Sequence, residues 1–166
     1  MLSIKHVFSM IGLLLLQGLV LNNINFLDVI NPYAYIAFVF FYPLHKNRFP
    51  FLILSFLLGL GIDFFSDSGG VHTSSILVIA YLRLSFVKLF FKELESDFTL
   101  FTLKAEPLNN VLAYITTLTL IHHLILFFLA NLSFQNWFTV VINVFSSALF
   151  TLVLVVSGSF IFRREA

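Results

Sequence analysis

Long apolar runs separated by short polar connections extend along almost the whole chain. Inside a bilayer every backbone N–H and C=O group must find its partner within the protein, so runs of this kind form helices. The pattern therefore predicts an all-α membrane protein built as a bundle of about six transmembrane helices. The predicted spans are 7–21, 31–44, 50–62, 70–90, 106–130 and 137–162.

Two of the predicted spans are short. A helix needs roughly 20 residues to cross a hydrocarbon core of about 30 Å, and the apolar parts 32–44 and 50–62 are shorter than that. These two spans either extend into their polar flanks or are buried inside the bundle. A hairpin that never crosses would instead leave four spans.

Cap residues mark two of the predicted helix starts. Asn31 is a cap candidate for the second span, and Pro32 follows at the first helical position, where the missing N–H is not needed. Asp67 or Ser68 is the expected cap of the fourth span.

Basic residues occur only in alternate connections or in the span ends that border them. Connections around 22–31, 63–70 and 131–136 contain no Lys or Arg. Cytoplasmic loops of membrane proteins retain basic residues, so the alternation favours six spans over four. It predicts a multi-pass protein with both termini cytoplasmic. The basic residues are Lys5, Lys46, Arg48, Arg83, Lys88, Lys92, Lys104, Arg163 and Arg164.

Composition agrees with the bilayer as solvent. Of the 166 residues, 60% are hydrophobic and 10% are charged, whereas a soluble domain has about 25% charged residues. We expect one integral-membrane domain over 1–166, surrounded by lipid. No basic patch with interleaved aromatics indicates nucleic-acid binding.

The first apolar run resembles a signal peptide, but Asn22-Asn23-Ile24-Asn25 follows it rather than a cleavage site. We therefore interpret it as a retained helix.

Five ionisable residues share the third of the bundle that lies farthest from the basic connections: Asp63, Asp67, His72, His122 and His123. Four interpretations are open: a metal site, proton coupling through an Asp–His pair, a small-solute pocket, or hydrogen bonds that hold the helices together. A metal site is disfavoured because adjacent His122 and His123 diverge by about 100° around a helix. No placed nucleophile, carboxylate pair or cofactor motif appears, so we predict neither an enzyme nor a metal or cofactor.

Small residues predict close packing beside this cluster. Gly59 and Gly61 remove two side chains just before Asp63, which lets a neighbouring helix approach. The turn 66–70 ends in a glycine pair, and Gly70 tolerates positive φ. It lacks the lysine and the spacing of a phosphate-binding loop.

The connection 91–105 predicts a short amphipathic helix on the cytoplasmic surface, with Leu94, Phe98 and Phe101 on one face. A loosely ordered loop is the other interpretation. As a helix, the segment would offer a docking surface to a cytoplasmic partner.

Several of these residues stand in the order of a known family. Gly59-Leu60-Gly61-Ile62-Asp63-Phe64-Phe65-Ser66 precedes Gly69-Gly70-Val71-His72 and a helix with Ala80-Tyr81-Leu82-Arg83, while Asn31-Pro32-Tyr33 and Ile121-His122-His123 flank this stretch. The combination resembles the rod shape-determining MreD family in the form found in Bacteroidetes, over nearly the whole chain.

This resemblance implies a non-catalytic scaffold in the bacterial inner (cytoplasmic) membrane, part of the cell-elongation machinery that makes peptidoglycan. It implies binding to MreC and indirect association with MreB, RodA and a penicillin-binding transpeptidase. It also implies a fold similar to the substrate-binding subunits of energy-coupling-factor transporters, so a small-solute-binding subunit of that type is the alternative. Asp63, Gly70 and His72 are expected to matter through bundle geometry rather than chemistry.

Overall fold

The computed structural model describes residues 4–24, 31–91, 101, 103, 105–132 and 136–163, with side chains as far as 159. These residues form helices and irregular connections, and no strand occurs among them. The helices are α1 Ile4–Leu15, α2 Ala37–Phe41, α3 Phe49–Ser66, α4 Val71–Phe90, α5 Leu108–Ala130 and α6 Trp137–Arg163. A π-helical turn, Leu16–Val20, and a 3-10 turn, Leu21–Asn23, continue α1, and a 3-10 turn, Ala34–Ile36, precedes α2.

Five segments are long and apolar enough to cross a membrane: α1 with its two turns (Ile4–Asn23), α3, α4, α5 and α6 as far as Ser159. The prediction of a multi-pass helical membrane protein is confirmed at this level. Most of the predicted 91–105 helix lies outside the described residues, as do Lys92, Lys104 and Arg164.

Successive segments run in opposite directions. Asn22, just after α1, donates a hydrogen bond to Ser66 at the end of α3 (Nδ2–Oγ 2.8 Å). Phe91, just after α4, packs on Tyr114 in the first part of α5, with 5.6 Å between ring centroids. One end of the bundle, which we call the basic end, therefore carries Lys5, Lys46, Arg48, Arg83, Lys88 and Arg163. The opposite end is called the Asp63 end.

The second predicted span does not form a crossing helix. Only a three-residue 3-10 turn and the five-residue α2 are helical there, a rise of roughly 13 Å. The predicted start at Pro32 and end at 44 are both wrong. Pro43 explains the early end, because the residue before a proline is restricted to extended conformations, and Tyr42 has φ −62° and ψ 136°.

This broken segment nevertheless joins the two ends of the bundle. Tyr33 packs on His72 at the start of α4, with 5.5 Å between ring centroids, and Tyr42 packs on His6 near the start of α1 at 4.6 Å. We call 31–48 the second crossing. Tyr35, Ile36, Val39 and Phe40 are fully buried, so of the two alternatives for a short span, burial inside the bundle applies here.

The third predicted span, 50–62, instead extends into its polar flanks. α3 begins at Phe49 and continues past Asp63 to Ser66, four residues beyond the predicted end at Ile62. The extra turn contains Asp63, whose carboxylate accepts hydrogen bonds from the first turn of the neighbouring helix α4. The hydrophobic core lies where α3, α4 and α5 surround the second crossing.

Candidate functional site

Asp63 lies near the end of α3 and caps the neighbouring helix α4. Its Oδ1 accepts hydrogen bonds from the Ser68 hydroxyl (2.6 Å) and the His72 N–H (2.9 Å). Its Oδ2 accepts from the Thr73 N–H (2.9 Å) and from the Thr73 hydroxyl. His72 and Thr73 are the second and third residues of α4, whose N–H groups have no partner inside the helix. A carboxylate here also complements the positive end of the helix dipole.

The cap predicted for α4 is thus corrected. Asp67 is exposed in a left-handed conformation with φ 48°, and Ser68 donates to Asp63 instead of accepting from α4. Gly69 (φ 65°) and Gly70 (φ 97°) complete the turn in backbone conformations that favour glycine. This turn brings the first N–H groups of α4 against the Asp63 carboxylate.

Gly59 and Gly61 pack α3 between two neighbours. A Cβ atom on Gly59 would lie 2.6 Å from the Cα of Thr73, so the backbone of α4 occupies the space beside this glycine. A Cβ on Gly61 would lie 2.7 Å from the Leu14 side chain of α1. Close approach at Gly59 places Thr73 within reach of Asp63.

The Tyr35 hydroxyl connects two histidines from different helices. It lies 3.0 Å from Nδ1 of His72 and 2.7 Å from Nε2 of His122. One hydroxyl has a single proton to donate, so it donates to one imidazole and accepts an N–H from the other. All three side chains are at most 6% exposed. Histidines at one height on α4 and α5 are thereby joined through the second crossing.

His123 takes part in a separate chain of hydrogen bonds. Its Nδ1 lies 2.8 Å from the Thr119 carbonyl oxygen, which can only accept, so Nδ1 carries the proton. Its Nε2 then accepts from the Thr151 hydroxyl of α6 at 3.2 Å. The Thr151 oxygen in turn accepts the N–H of Tyr33 at 2.9 Å. His123 is thereby joined to α6 and, through Thr151, to the backbone of the second crossing.

The Tyr33 ring fills the space between the three imidazoles. Its centroid lies 5.5 Å from that of His72, 6.3 Å from His122 and 5.4 Å from His123. We call Tyr33, Tyr35, His72, His122 and His123 the aromatic–imidazole cluster. Adjacent His122 and His123 point to different partners, Tyr35 and Thr151. No group of three or more His, Cys, Asp or Glu side chains in the described part of the chain is arranged to hold a metal ion.

Side chains satisfy the irregular backbone of the second crossing at the Asp63 end. Gln17, buried in the π-helical turn after α1, donates to the Pro32 carbonyl (2.9 Å) and to Asn22 Oδ1 (2.8 Å). The Asn31 N–H donates to the Ser147 hydroxyl of α6 at 3.3 Å. Irregular backbone at membrane depth is tolerated only where protein or water supplies such partners.

At the basic end one residue serves this purpose. Arg83, 3% exposed on α4, donates from a terminal guanidinium nitrogen to the carbonyl oxygens of Phe40 (3.4 Å) and Tyr42. These carbonyls have no helical partner because α2 ends at Phe41. The guanidinium carbon also lies 5.0 Å from the centroid of the Phe51 ring.

Of the predicted site residues, Asp63, His72, His122 and His123 do meet at one end, with Gly59, Gly61 and Gly70 shaping that end. Arg83 lies at the opposite end. The sequence analysis assigned no role in this site to Gln17, Tyr35, Ser147 or Thr151. Gln17 had a usable signal, since a buried amide inside an apolar helix requires a partner; Tyr35 had none.

Fold and site together define a multi-pass helical membrane protein whose buried polar groups support one broken crossing. No protein-family model matches the chain, and neither a curated protein nor a solved structure matches it.

Proposed function

We propose that this protein is a non-catalytic scaffold of the bacterial cell-elongation complex, of the MreD type, in the inner membrane with both termini cytoplasmic. In this role it binds MreC within the bilayer and is linked through it to MreB, RodA and a penicillin-binding transpeptidase. Support comes from the resemblance of 59–72 and its flanks to that family, from the helical architecture, and from the gathering of described basic residues at one end.

The observation that carries the proposal is the use of the buried polar groups. Asp63 receives four donors from Ser68, His72 and Thr73. Two tyrosine rings occupy the space among the histidines. Ligand sites are usually concave with a few convergent polar groups left free for the ligand, whereas these groups join α3 to α4 and hold α4, α5 and α6 to the second crossing. Such pairing favours a structural role.

Exposed apolar stripes on the first and last helices are suitable for a partner helix in lipid. Both recur every three or four residues, the spacing of one helical face, and helices of a partner dock on such faces by close packing. The stripes are Ile4, Phe8, Ile11, Leu15 and Leu19 on α1 with its π-helical turn, and Phe138, Ile142, Phe145, Leu149 and Val153 on α6.

The main experiment is purification of the tagged chain from its native membrane in mild detergent, followed by mass spectrometry of proteins and small molecules. We expect recovery of MreC with wall-synthesis enzymes. Recovery of an ATPase pair with a defined solute and without MreC would contradict the scaffold.

A photo-crosslinking experiment tests the stripes. Benzoylphenylalanine replaces Phe8 or Phe145, and the matched control replaces Phe64, which is exposed on α3. We expect an MreC adduct from at least one stripe position and none from the control. Adducts of equal yield at Phe64, or none at either stripe, would contradict docking there.

The alternative is a small-solute-binding subunit of the energy-coupling-factor type. One observation favours it: Nδ1 of His122 and Oδ1 of Asn31 are buried without a described partner beside the aromatic–imidazole cluster. This alternative requires a solute that co-purifies with the wild-type chain and is lost from His122→Phe. The scaffold proposal requires MreC binding to survive the same substitution.

A further inference from the structure

A cavity opens at the basic end, where the second crossing turns into α3. Its volume is about 290 Å³, and it is lined by Tyr42, His45, Lys46, Asn47 and Pro50. Pockets for drug-sized ligands measure roughly 300–1,000 Å³, so this cavity is suited to a small polar group. The proposed scaffold function makes no use of it.

A narrower recess connects this cavity with the buried guanidinium. It shares Tyr42, His45 and Asn47 with the cavity and extends to Arg48 and Arg83. Lys46 and Arg48 are exposed at the rim, while Arg83 is buried at the inner wall. Basic side chains thus line the space from its mouth to its interior.

No Asp or Glu is among the described residues that line the cavity or the recess. Asp and Glu are absent between Asp28 and Asp63 and again between Asp67 and Glu93, which together cover the second crossing, α3 as far as Ile62 and α4. The N-terminal end of α3 adds the positive end of a helix dipole at the same place. The described walls therefore carry uncompensated positive charge.

Arg83 provides a second, independent indication of an anionic ligand. Its Nε is buried and has no hydrogen-bond partner among the described residues, although its terminal nitrogen binds two carbonyl oxygens. A buried donor without an acceptor is costly. The planar guanidinium forms stronger and better-aligned hydrogen bonds with phosphate oxygens than with a neutral acceptor.

We propose that this cavity binds the phosphate of an anionic phospholipid headgroup. A lipid is favoured over a soluble anion because apolar surface flanks the cavity. Phe41, the last residue of α2, is 46% exposed, and Phe49, the first residue of α3, is 68% exposed. Acyl chains beside the bundle cover these rings while the headgroup phosphate reaches Lys46, Arg48 and the recess toward Arg83.

The test uses the purified full chain in detergent, so it does not depend on MreC or any other partner. Native mass spectrometry measures binding of dioleoylphosphatidylglycerol and, as the zwitterionic comparison, dioleoylphosphatidylcholine. Each basic side chain near an anionic lipid contributes about fivefold in affinity. The double variant Lys46→Gln/Arg48→Gln should therefore lose about 25-fold in phosphatidylglycerol affinity, with phosphatidylcholine binding unchanged.

Both substituted residues are exposed, so the double variant is expected to fold, which its thermal unfolding verifies. Lys88→Gln is the matched control: it removes one charge at the same end but outside the cavity lining. We expect it to stay within about twofold of wild type, since a charge outside the cavity acts through screening solvent.

Three results of the affinity measurements would overturn the proposal, and a fourth comes from competition with phosphate. The three are equal phosphatidylglycerol affinity in wild type and the double variant, equal affinity of wild type for the two lipids, and an equal loss in Lys88→Gln. Displacement of the lipid by millimolar inorganic phosphate would assign the cavity to a free anion and reject the lipid headgroup.

Discussion

The two ends of the second crossing solve the same problem in different ways. At the Asp63 end, backbone groups around Asn31–Tyr33 are bound by Gln17, Ser147 and Thr151, and each contributes one neutral hydrogen bond. At the basic end, a single buried cation, Arg83, binds the carbonyl oxygens of Phe40 and Tyr42, at and just after the end of α2.

This difference teaches how stability is distributed. Where several neutral side chains share the backbone groups, loss of one costs about a single hydrogen bond, roughly 1 kcal/mol. Where one side chain donates to two buried acceptors, its loss leaves both acceptors without a hydrogen bond. The basic end is therefore expected to depend on one residue and the Asp63 end on many.

The largest effect is expected from Gly59→Leu. The new side chain would push α4 away from α3 and so separate Thr73 from Asp63. The added side chain would meet the Thr73 backbone, where a Cβ already lies 2.6 Å from Cα. Overpacking against backbone should cost about 3 kcal/mol or more, seen as lost monodisperse protein in fluorescence-detected size exclusion. Gly12→Leu is the control, because no heavy atom lies within 4 Å of a Cβ there; equal yields would refute close packing at Gly59.

Arg83→Met tests the single-residue end directly. Two buried carbonyl oxygens lose their donor, so we expect a loss of about 2–4 kcal/mol, measured by thermal unfolding in detergent. Arg83→Lys keeps the charge but not the planar fork, and its stability should fall between wild type and Arg83→Met. Unchanged stability of Arg83→Met would show that the basic end does not depend on this residue.

Asp63→Asn tests the charged member of the opposite end. The variant keeps the shape but loses the charge, and its amide nitrogen cannot accept from the Thr73 N–H. We expect a loss of about 2 kcal/mol, within the range for hydrogen bonds to charged groups. Asp67→Asn, on the exposed turn, should change stability by no more than about 0.5 kcal/mol. Equal losses in the two variants would argue against the cap.

Tyr35→Phe should have the smallest effect of the four. It removes only the hydroxyl between His72 and His122, so the expected loss is about 1 kcal/mol by thermal unfolding. Tyr81→Phe, on the exposed face of α4, should have no effect. A loss as large as that of Arg83→Met would contradict the distributed arrangement at the Asp63 end.

The five long helices could be predicted because length and hydropathy determine which segments can cross a bilayer. Segregation of the basic residues was equally visible, since it follows from their order in the chain. The broken form of the second crossing was not. Its residues are as apolar as those of a helix, and Pro43 was the one local signal against helix beyond Phe41.

The sequence indicated which residues of the site lie close together, but not which hydrogen bonds they form. Antiparallel spans place Asp63, His72 and His122 at one height, which the helix rise per residue indicates. The cap of α4 was assigned to Asp67 or Ser68 because capping rules count along the chain, whereas Asp63 reaches the helix across a turn. Likewise, the hydrogen bonds of Ser147 and Thr151 join residues 116 and 118 positions apart, beyond any local pattern.

These long separations have a consequence for biogenesis. The second crossing leaves the ribosome before α3, α4 and α5, yet the hydroxyl groups that bind its backbone belong to α6, which is made after all of these. A nascent chain released before α6 would hold unpaired N–H groups of residues 31 and 33 in lipid. We therefore expect the second crossing to enter the bilayer only when α6 is inserted. We expect polypeptides truncated after Ala130 to be recognised and degraded by membrane quality control.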